Sequence, residues 1–339
     1  MKLEPVPIDQ ALGKILVHNI TRPNGRRALR KGREIDAEDV ETLRELGYTN
    51  VYAADLAPDD IDENSAARRV ATAVTGDGLR LSRLSTGRLN ILATGLGLLR
   101  LDPERLRQLN SIPGITLATL ANNAVVSDGK TAATVKIIPY AVPERSVAQA
   151  EEIAVGGLLS VDHLPARKVG VILSGSPFSK DRVVDGFTPA LKNRLEALGA
   201  TLDSQAFVPL EDDRGEVALA REIQAQIEAG LEMIILAGET AIMDRYDITP
   251  RAVERAGGEV ACFGAPVDPG NLLMLGYMGD VPILGAPGCV RSPKANIIDL
   301  VLPRLLVGDR IGQADIVALG HGGLLEDVPE RPMPRSRLT

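Results

Sequence analysis

The sequence predicts an α/β protein: a doubly wound, mostly parallel sheet in its second half, preceded by a smaller α+β domain. Three observations carry that expectation. Apolar runs at 169–174 and 233–237 each end in a cluster of small residues, Gly175-Ser176-Pro177 and Gly238-Glu239-Thr240-Ala241, and a third break falls at Gly285-Ala286-Pro287-Gly288-Cys289. From 168 to 306 such runs alternate with helical periods, the order that builds a parallel sheet through crossover helices. The first half differs, with short apolar runs separated by polar turns and few helical periods.

In that first half, Lys31-Gly32 marks a turn, and Asp36 caps a helix with Leu and Val at helical spacing that stops at Gly47. A strand at 50–53 follows. Asp62-Glu63-Asn64-Ser65 starts a second helix over 66–74, and strands are expected at 88–93, 115–120, 124–126 and 132–138, with Pro139 and Pro143 closing the run. A helix begins near Ser146, and the domain boundary is placed at 145–165.

Beyond it the pattern reads strand 168–174, helix 182–198 ending at Gly199, strand 201–208, helix 215–229 ending at Gly230, strand 233–237 and helix 249–256. Strands near 259–264, 272–276 and 281–284 precede a last helix at about 292–306. The expected organisation is an α+β region at 1–150, divisible into two small subdomains, an α/β domain at 160–310 and a tail at 311–339. Gly308, Gly312 and the glycines of 320–323 predict a loose tail, and Pro329, Pro332 and Pro334 a disordered end.

The 339 residues are 45% hydrophobic and 24% charged, with a net charge of −7, which is ordinary for a globular protein and argues against nucleic acid as a partner. The basic stretch 22–33 is interleaved with Gly and Pro and reads as a solvated loop and turn. Two cysteines, Cys262 and Cys289, give neither a disulfide framework nor zinc-ligand spacing. There is no apolar run of about 18 residues and no basic and apolar leader at the N-terminus, so the expectation is a cytoplasmic protein without a membrane partner.

Buried strands ending in small residues place backbone N–H groups and helix N-termini along one sheet edge, where anions such as phosphates bind. Asp244 and Asp247 lie just after one strand end and before a helix with Thr249 as cap and Pro250 at its first position. Such carboxylates can hold a metal, orient the N–H groups of a heterocycle or act as a general base; the plain alternative is helix capping. Asp212-Asp213 ends another strand and admits the same two readings. No GxGxxG follows the first strand and no GxxxxGK[ST] occurs, which weakens a general nucleotide-binding reading.

In order along the chain, these pieces resemble the molybdopterin-binding domain family, which includes molybdopterin adenylyltransferases, molybdopterin molybdotransferases and the competence-damage protein CinA. Gly238-Glu-Thr-Ala followed by Asp247-Ile-Thr-Pro resembles the family's Gly-Gly-Thr-Gly and Arg-Asp-Val-Thr-Pro signatures. Asp268-Pro-Gly resembles its Pro-Gly-Lys turn, Leu284-Gly-Ala-Pro-Gly-Cys its Leu-Pro-Gly-Asn-Pro segment, and Ser174-Gly175-Ser176 occupies the place of its first loop. Leu29-Arg-Lys-Gly, 36–47, 62–67, Thr86-Gly-Arg, 117–119 and 133–139 are similar to a region that precedes this domain in some bacterial molybdenum-cofactor proteins.

The resemblance implies a cleft at the strand ends that binds molybdopterin or its adenylated form, with molybdate and Mg2+ as further ligands. Ser174, Gly175, Ser176, Asp212, Asp213, Gly238, Glu239, Thr240, Ala241, Thr249, Pro269, Gly270, Asn271, Pro287, Gly288, Cys289 and Ser292 are the candidate binding residues, and Asp244 and Asp247 the candidate catalytic and metal-binding pair. It implies a molybdotransferase-like enzyme or, alternatively, a non-catalytic carrier or sensor of the cofactor, homo-oligomeric and working with other enzymes of the pathway. The sequence departs from the family in several places. The first loop lacks the Asp-Glu pair of the molybdotransferases, Asn271 stands where Lys is common and Cys289 where Asn is common. Glu239 replaces a glycine, and a carboxylate there repels phosphate unless it points away or meets a cation. The spacing from Gly238 to Asp247 is one residue longer than usual.

Overall fold

The chain's computed structural model describes residues 1–210 and 213–325, which divide into two units, Met1–Asp162 and His163 onward.

In the first unit Lys2–Pro7 and Ile15–Leu16 flank Asn50–Asp55 in an antiparallel sheet. Pro5 and Pro7 are tolerated because Lys2–Pro7 is an edge strand, where a missing N–H costs no ladder bond. The helix Ala37–Glu45 starts in a capping box in which Asp36 accepts the Asp39 N–H and Asp39 accepts that of Asp36. It buries Leu43 against Val6, Leu16 and Ala53.

The largest sheet of this unit is four-stranded and antiparallel, in the order Ile115–Thr119, Thr131–Ile137, Arg88–Ala93, Leu79–Leu81. The helix Glu63–Val74 packs on it through Ala66, Ala67, Val70, Ala71 and Val74, all fully buried. Small alanines let the helix sit close to the sheet, and Asp62 accepts the N–H groups of Asn64 and Ser65 to cap it.

The second unit holds the expected doubly wound sheet. Its order is Thr201–Pro209, Lys168–Gly175, Met233–Gly238, Val281–Gly285, Met274–Met278, Glu259–Phe263. The first three neighbour pairs are parallel, and Met274–Met278 runs against both of its neighbours. Lys168–Gly175 is buried on both faces, which is why it reads as a continuous apolar run.

Alternation sorts its side chains. Val169, Val171 and Leu173 face the helices Lys180–Ala197 and Ile297–Val307, whereas Ile172 faces Asp213–Glu228 and Ile248–Arg255. Leu191 is fully buried in the larger layer, where burial of a leucine contributes about 1.5–3 kcal/mol.

The segment after 308 is not a loose tail in its described part. Gln313–Ala318 is a helix with Ile316 fully buried, and Leu325 and Gly323 bond the backbone of Asp268. Gly323 serves close approach: a Cβ on it would lie 2.4 Å from the Pro266 carbonyl oxygen. Residues 326–339, with the prolines expected to be disordered, lie outside the described residues.

Candidate functional site

The parallel registers bring three strand ends into one row, with Ser174 beside Gly238 and Leu236 beside Gly285. Past the last pairs, the Ser174 carbonyl accepts the Glu239 N–H at 2.8 Å and the Leu236 carbonyl accepts that of Ala286 at 2.8 Å. Glycine is required at 238 because a Cβ there would lie 2.6 Å from Ser174 Oγ.

Where the chain leaves this row after Gly238, a cavity of about 320 Å³ opens. Its polar lining residues are Ser174, Thr240, Asp247 and Thr249; Gly238, Ala241, Leu210, Leu236, Ile242, Met243, Ile248 and Ala286 complete the lining. Six of the residues expected from the sequence therefore line it. The apolar part of the lining was not foreseen; its signal was Ile242-Met243, two large aliphatic side chains in a loop, of which Ile242 is buried and Met243 exposed.

Asp247 is the one acidic residue in this lining. It stands as N-cap of the helix Ile248–Arg255, which starts earlier than a Thr249 cap would have it. Its carboxylate turns away from the helix and accepts the N–H groups of Met243 at 2.5 Å and Asp244 at 3.1 Å. Asp244 in turn accepts the Tyr246 N–H at 2.5 Å. Both carboxylates are thus engaged in holding their own loop.

Among the described residues no group of three or more His, Cys, Asp or Glu side chains is placed to hold a metal ion. Two carboxylates already bonded to backbone do not make a metal centre from protein groups alone.

Glu239 does meet a cation. Its carboxylate accepts the Ser176 N–H at 2.9 Å and the Ser176 hydroxyl at 3.0 Å, and pairs with the Arg182 guanidinium at 2.5 Å. The Ser176 N–H above all, with the Ser179 and Ser176 hydroxyls and Arg182, holds its pKa down at about 2. These donors belong to the first loop and the helix start that follows it, so the chain's own carboxylate sits where an anionic ligand would bind. Arg182 was missed in the sequence. A cation in the first turn of a helix opposes the macrodipole, and that mismatch was the available signal.

The remaining candidates lie elsewhere in the unit. Gly175 ends its strand, and a Cβ on it would meet Ser179 Oγ at 2.7 Å. The Pro269 carbonyl accepts the Ile297 N–H, Gly270 packs against Ile297, and Asn271 bonds Ala265. Pro287, Gly288 and Cys289 form a short turn, with burial pushing the Cys289 thiol up. Carbonyls of Val290 and Ser292 accept from Arg194, which anchors this turn to the helix Lys180–Ala197. None of these residues lines the cavity. Asp213 is the first residue of its helix, and Asp212 lies outside the described residues.

Residues 170–307 match a family described as the probable molybdopterin binding domain, and residues 5–55 match a domain of unknown function. The chain is similar to the molybdopterin biosynthesis moea protein from Pyrococcus horikosii at 17% identity, over 90% of this chain and 75% of that one, with a TM-score of 0.32. It is similar to a molybdenum cofactor biosynthesis protein B at 17% identity, over 42% of this chain and 95% of that one, with a TM-score of 0.30. Likeness at these TM-scores carries no functional weight. No curated protein matches the sequence. The sheet with its strand-end cavity is thus the part of the chain that bears the family's pattern, and residues 170–307 belong to the probable molybdopterin binding domain family.

Proposed function

We propose that the second unit binds molybdopterin, or its adenylated form, in the cavity beside Gly238 and acts as a carrier or sensor of the cofactor. The observation that supports binding is the cavity itself: about 320 Å³, lined by both hydroxyl and carboxylate groups and aliphatic side chains. A flat heterocycle stacks on the aliphatic side chains while its N–H groups meet Asp247 and the hydroxyls of Thr240 and Thr249. Carriage without chemistry is favoured by Glu239, which fills the first-loop donors that would otherwise steady a transferring anion.

The molybdotransferase-like reading keeps one specific support, the placement of Asp247 in the cavity wall. The two readings separate in one set of measurements. The chain contains no Trp, so bound pterin is followed by its own fluorescence without indole emission. Wild-type protein is expected to bind molybdopterin at micromolar concentration, and Ala241→Tyr, which fills the cavity from an exposed loop, to weaken binding by on the order of tenfold. No binding by the wild type overturns both readings. With binding intact, AMP release from adenylated molybdopterin and molybdate above a protein-free control supports transfer, and its absence supports carriage.

A further inference from the structure

A second polar cavity lies wholly in the first unit. It has a volume of about 360 Å³ and is walled by Arg30, Lys31, Arg33, Ser85 and Thr86; Ser85 and Thr86 also line a smaller one of about 190 Å³, together with Arg83 and Arg88. Two turns make the walls. The first is Lys31-Gly32, where Asn19 Oδ1 accepts the Lys31 N–H and the Leu16 carbonyl accepts that of Gly32. The second is the hairpin turn between Leu79–Leu81 and Arg88–Ala93, closed by reciprocal backbone bonds between Ser85 and Arg88.

Two features mark the second turn as built for more than reversal. Thr86 has φ +47, a conformation that a β-branched residue rarely adopts and that carries local strain. Asn, Asp or Gly would occupy that position without strain. The turn is also held by other elements: Asn64 Oδ1 accepts the Gly87 N–H at 2.9 Å, and Lys136 Nζ donates to the Thr86 carbonyl at 2.7 Å. Gly87 has φ +66 and a Cβ on it would lie 2.9 Å from Glu63 Cβ, so the position demands glycine.

The charges of this cavity are unbalanced. Glu63, the acidic residue in its wall, is engaged by Lys136 at 3.3 Å, and Arg33 is paired with Asp36 and Asp39. Among the described residues none of Arg30, Lys31, Arg83 and Arg88 has a carboxylate partner. Four unpaired cations and the hydroxyls of Ser85 and Thr86 thus surround fixed backbone in a protein of net charge −7. Such a concentration of one sign raises the local concentration of the opposite one.

We propose that the Ser85–Thr86 turn, with Arg30, Lys31, Arg83 and Arg88, forms a binding site for a phosphorylated small molecule, separate from the cavity of the second unit. The phosphate oxygens accept from the guanidinium groups in forked pairs and from the two hydroxyls, while Lys31 supplies a point charge.

Calorimetric titration of the full-length chain with pyrophosphate, ADP and sulfate tests it. Pyrophosphate or ADP is expected to bind at one site per chain and to outcompete sulfate. Arg83→Ala/Arg88→Ala is expected to weaken binding by roughly tenfold or more, whereas the charge-matched Lys130→Ala/Arg145→Ala and the cavity variant Ala241→Tyr leave it unchanged. Equal affinity for sulfate and pyrophosphate, or equal weakening by the two double variants, overturns the proposal. So does the absence of binding by a wild-type chain whose thermal unfolding is cooperative. Tighter binding of ADP than of pyrophosphate identifies the ligand as a nucleotide, and equal binding identifies the diphosphate group as what is recognised.

Discussion

The first loop of the second unit and the Thr86 turn of the first both carry the makings of an anion site, and they differ in what occupies it. At Ser176 the donors are filled from within, because Glu239 reaches across from the neighbouring strand end with Arg182 beside it. At Thr86, Arg30, Lys31, Arg83 and Arg88 have no carboxylate partner among the described residues. Donor groups at a strand end or turn are therefore not a site by themselves. Whether they are available depends on counter-charge elsewhere in the chain, which a motif does not contain.

The largest effect that would break this contrast comes from Glu239. Glu239→Ala frees the Ser176 N–H, the Ser176 hydroxyl and Arg182 together. Pyrophosphate binding is then expected to rise from one to two sites per chain, the new site gaining roughly tenfold over the wild-type loop. Titration calorimetry reads the stoichiometry directly. A count that stays at one shows that the loop is closed to anions for a reason other than its own carboxylate.

The same contrast explains what was legible in the sequence. Strands 168–175, 201–209 and 233–238 were read nearly to their ends because buried or half-buried parallel strands leave apolar runs that few other elements imitate. Pro103–Asn110 was not read at all, since a helix of eight residues offers barely two turns of periodicity even with Asp102 as its cap. Lys2–Pro7 was hidden by its prolines, which only an edge position permits.

In the candidate site, Gly238, Thr240, Ala241 and Thr249 follow from a loop leaving a parallel strand. Order along the chain says nothing of which face of the sheet a loop turns toward. The 287–292 segment buries Val290 with the Lys180–Ala197 helix, while Ile242 packs in the opposite layer beside the cavity. Glu239 reads as repelling phosphate unless it points away or meets a cation; it does meet one, but which cation is not legible, because Arg182 lies 57 positions away.

A smaller effect sharpens the other side of the comparison. If the Thr86 conformation is held for a ligand's sake, Thr86→Asn relieves strain and stabilises the chain by about 1 kcal/mol, visible as a higher urea midpoint with an unchanged slope. The same variant loses a hydroxyl from the cavity and binds pyrophosphate more weakly. Stabilisation without loss of affinity assigns the strain to the turn alone. A lower midpoint shows that the neighbouring contacts from Asn64 and Lys136, rather than the local conformation, decide the energy of this turn.

The smallest effect is that of pH on the Glu239 contact. With its folded pKa lowered to about 2 from an ordinary value near 4.5, this carboxylate favours the folded state at every pH above the ordinary value. That contribution is lost only as pH falls through the window from about 4.5 to about 2, because below it the unfolded and folded chains are both protonated there. Between pH 5 and pH 9 the Ser176 donors stay occupied, so the wild-type stoichiometry of pyrophosphate remains one at both ends of the range. A second site appearing at pH 5 would mean that the carboxylate releases its donors near its ordinary pKa. Arg182 and the two serine hydroxyls would then be far weaker partners than their distances imply, and the contrast between a filled and an open anion site would become a matter of degree.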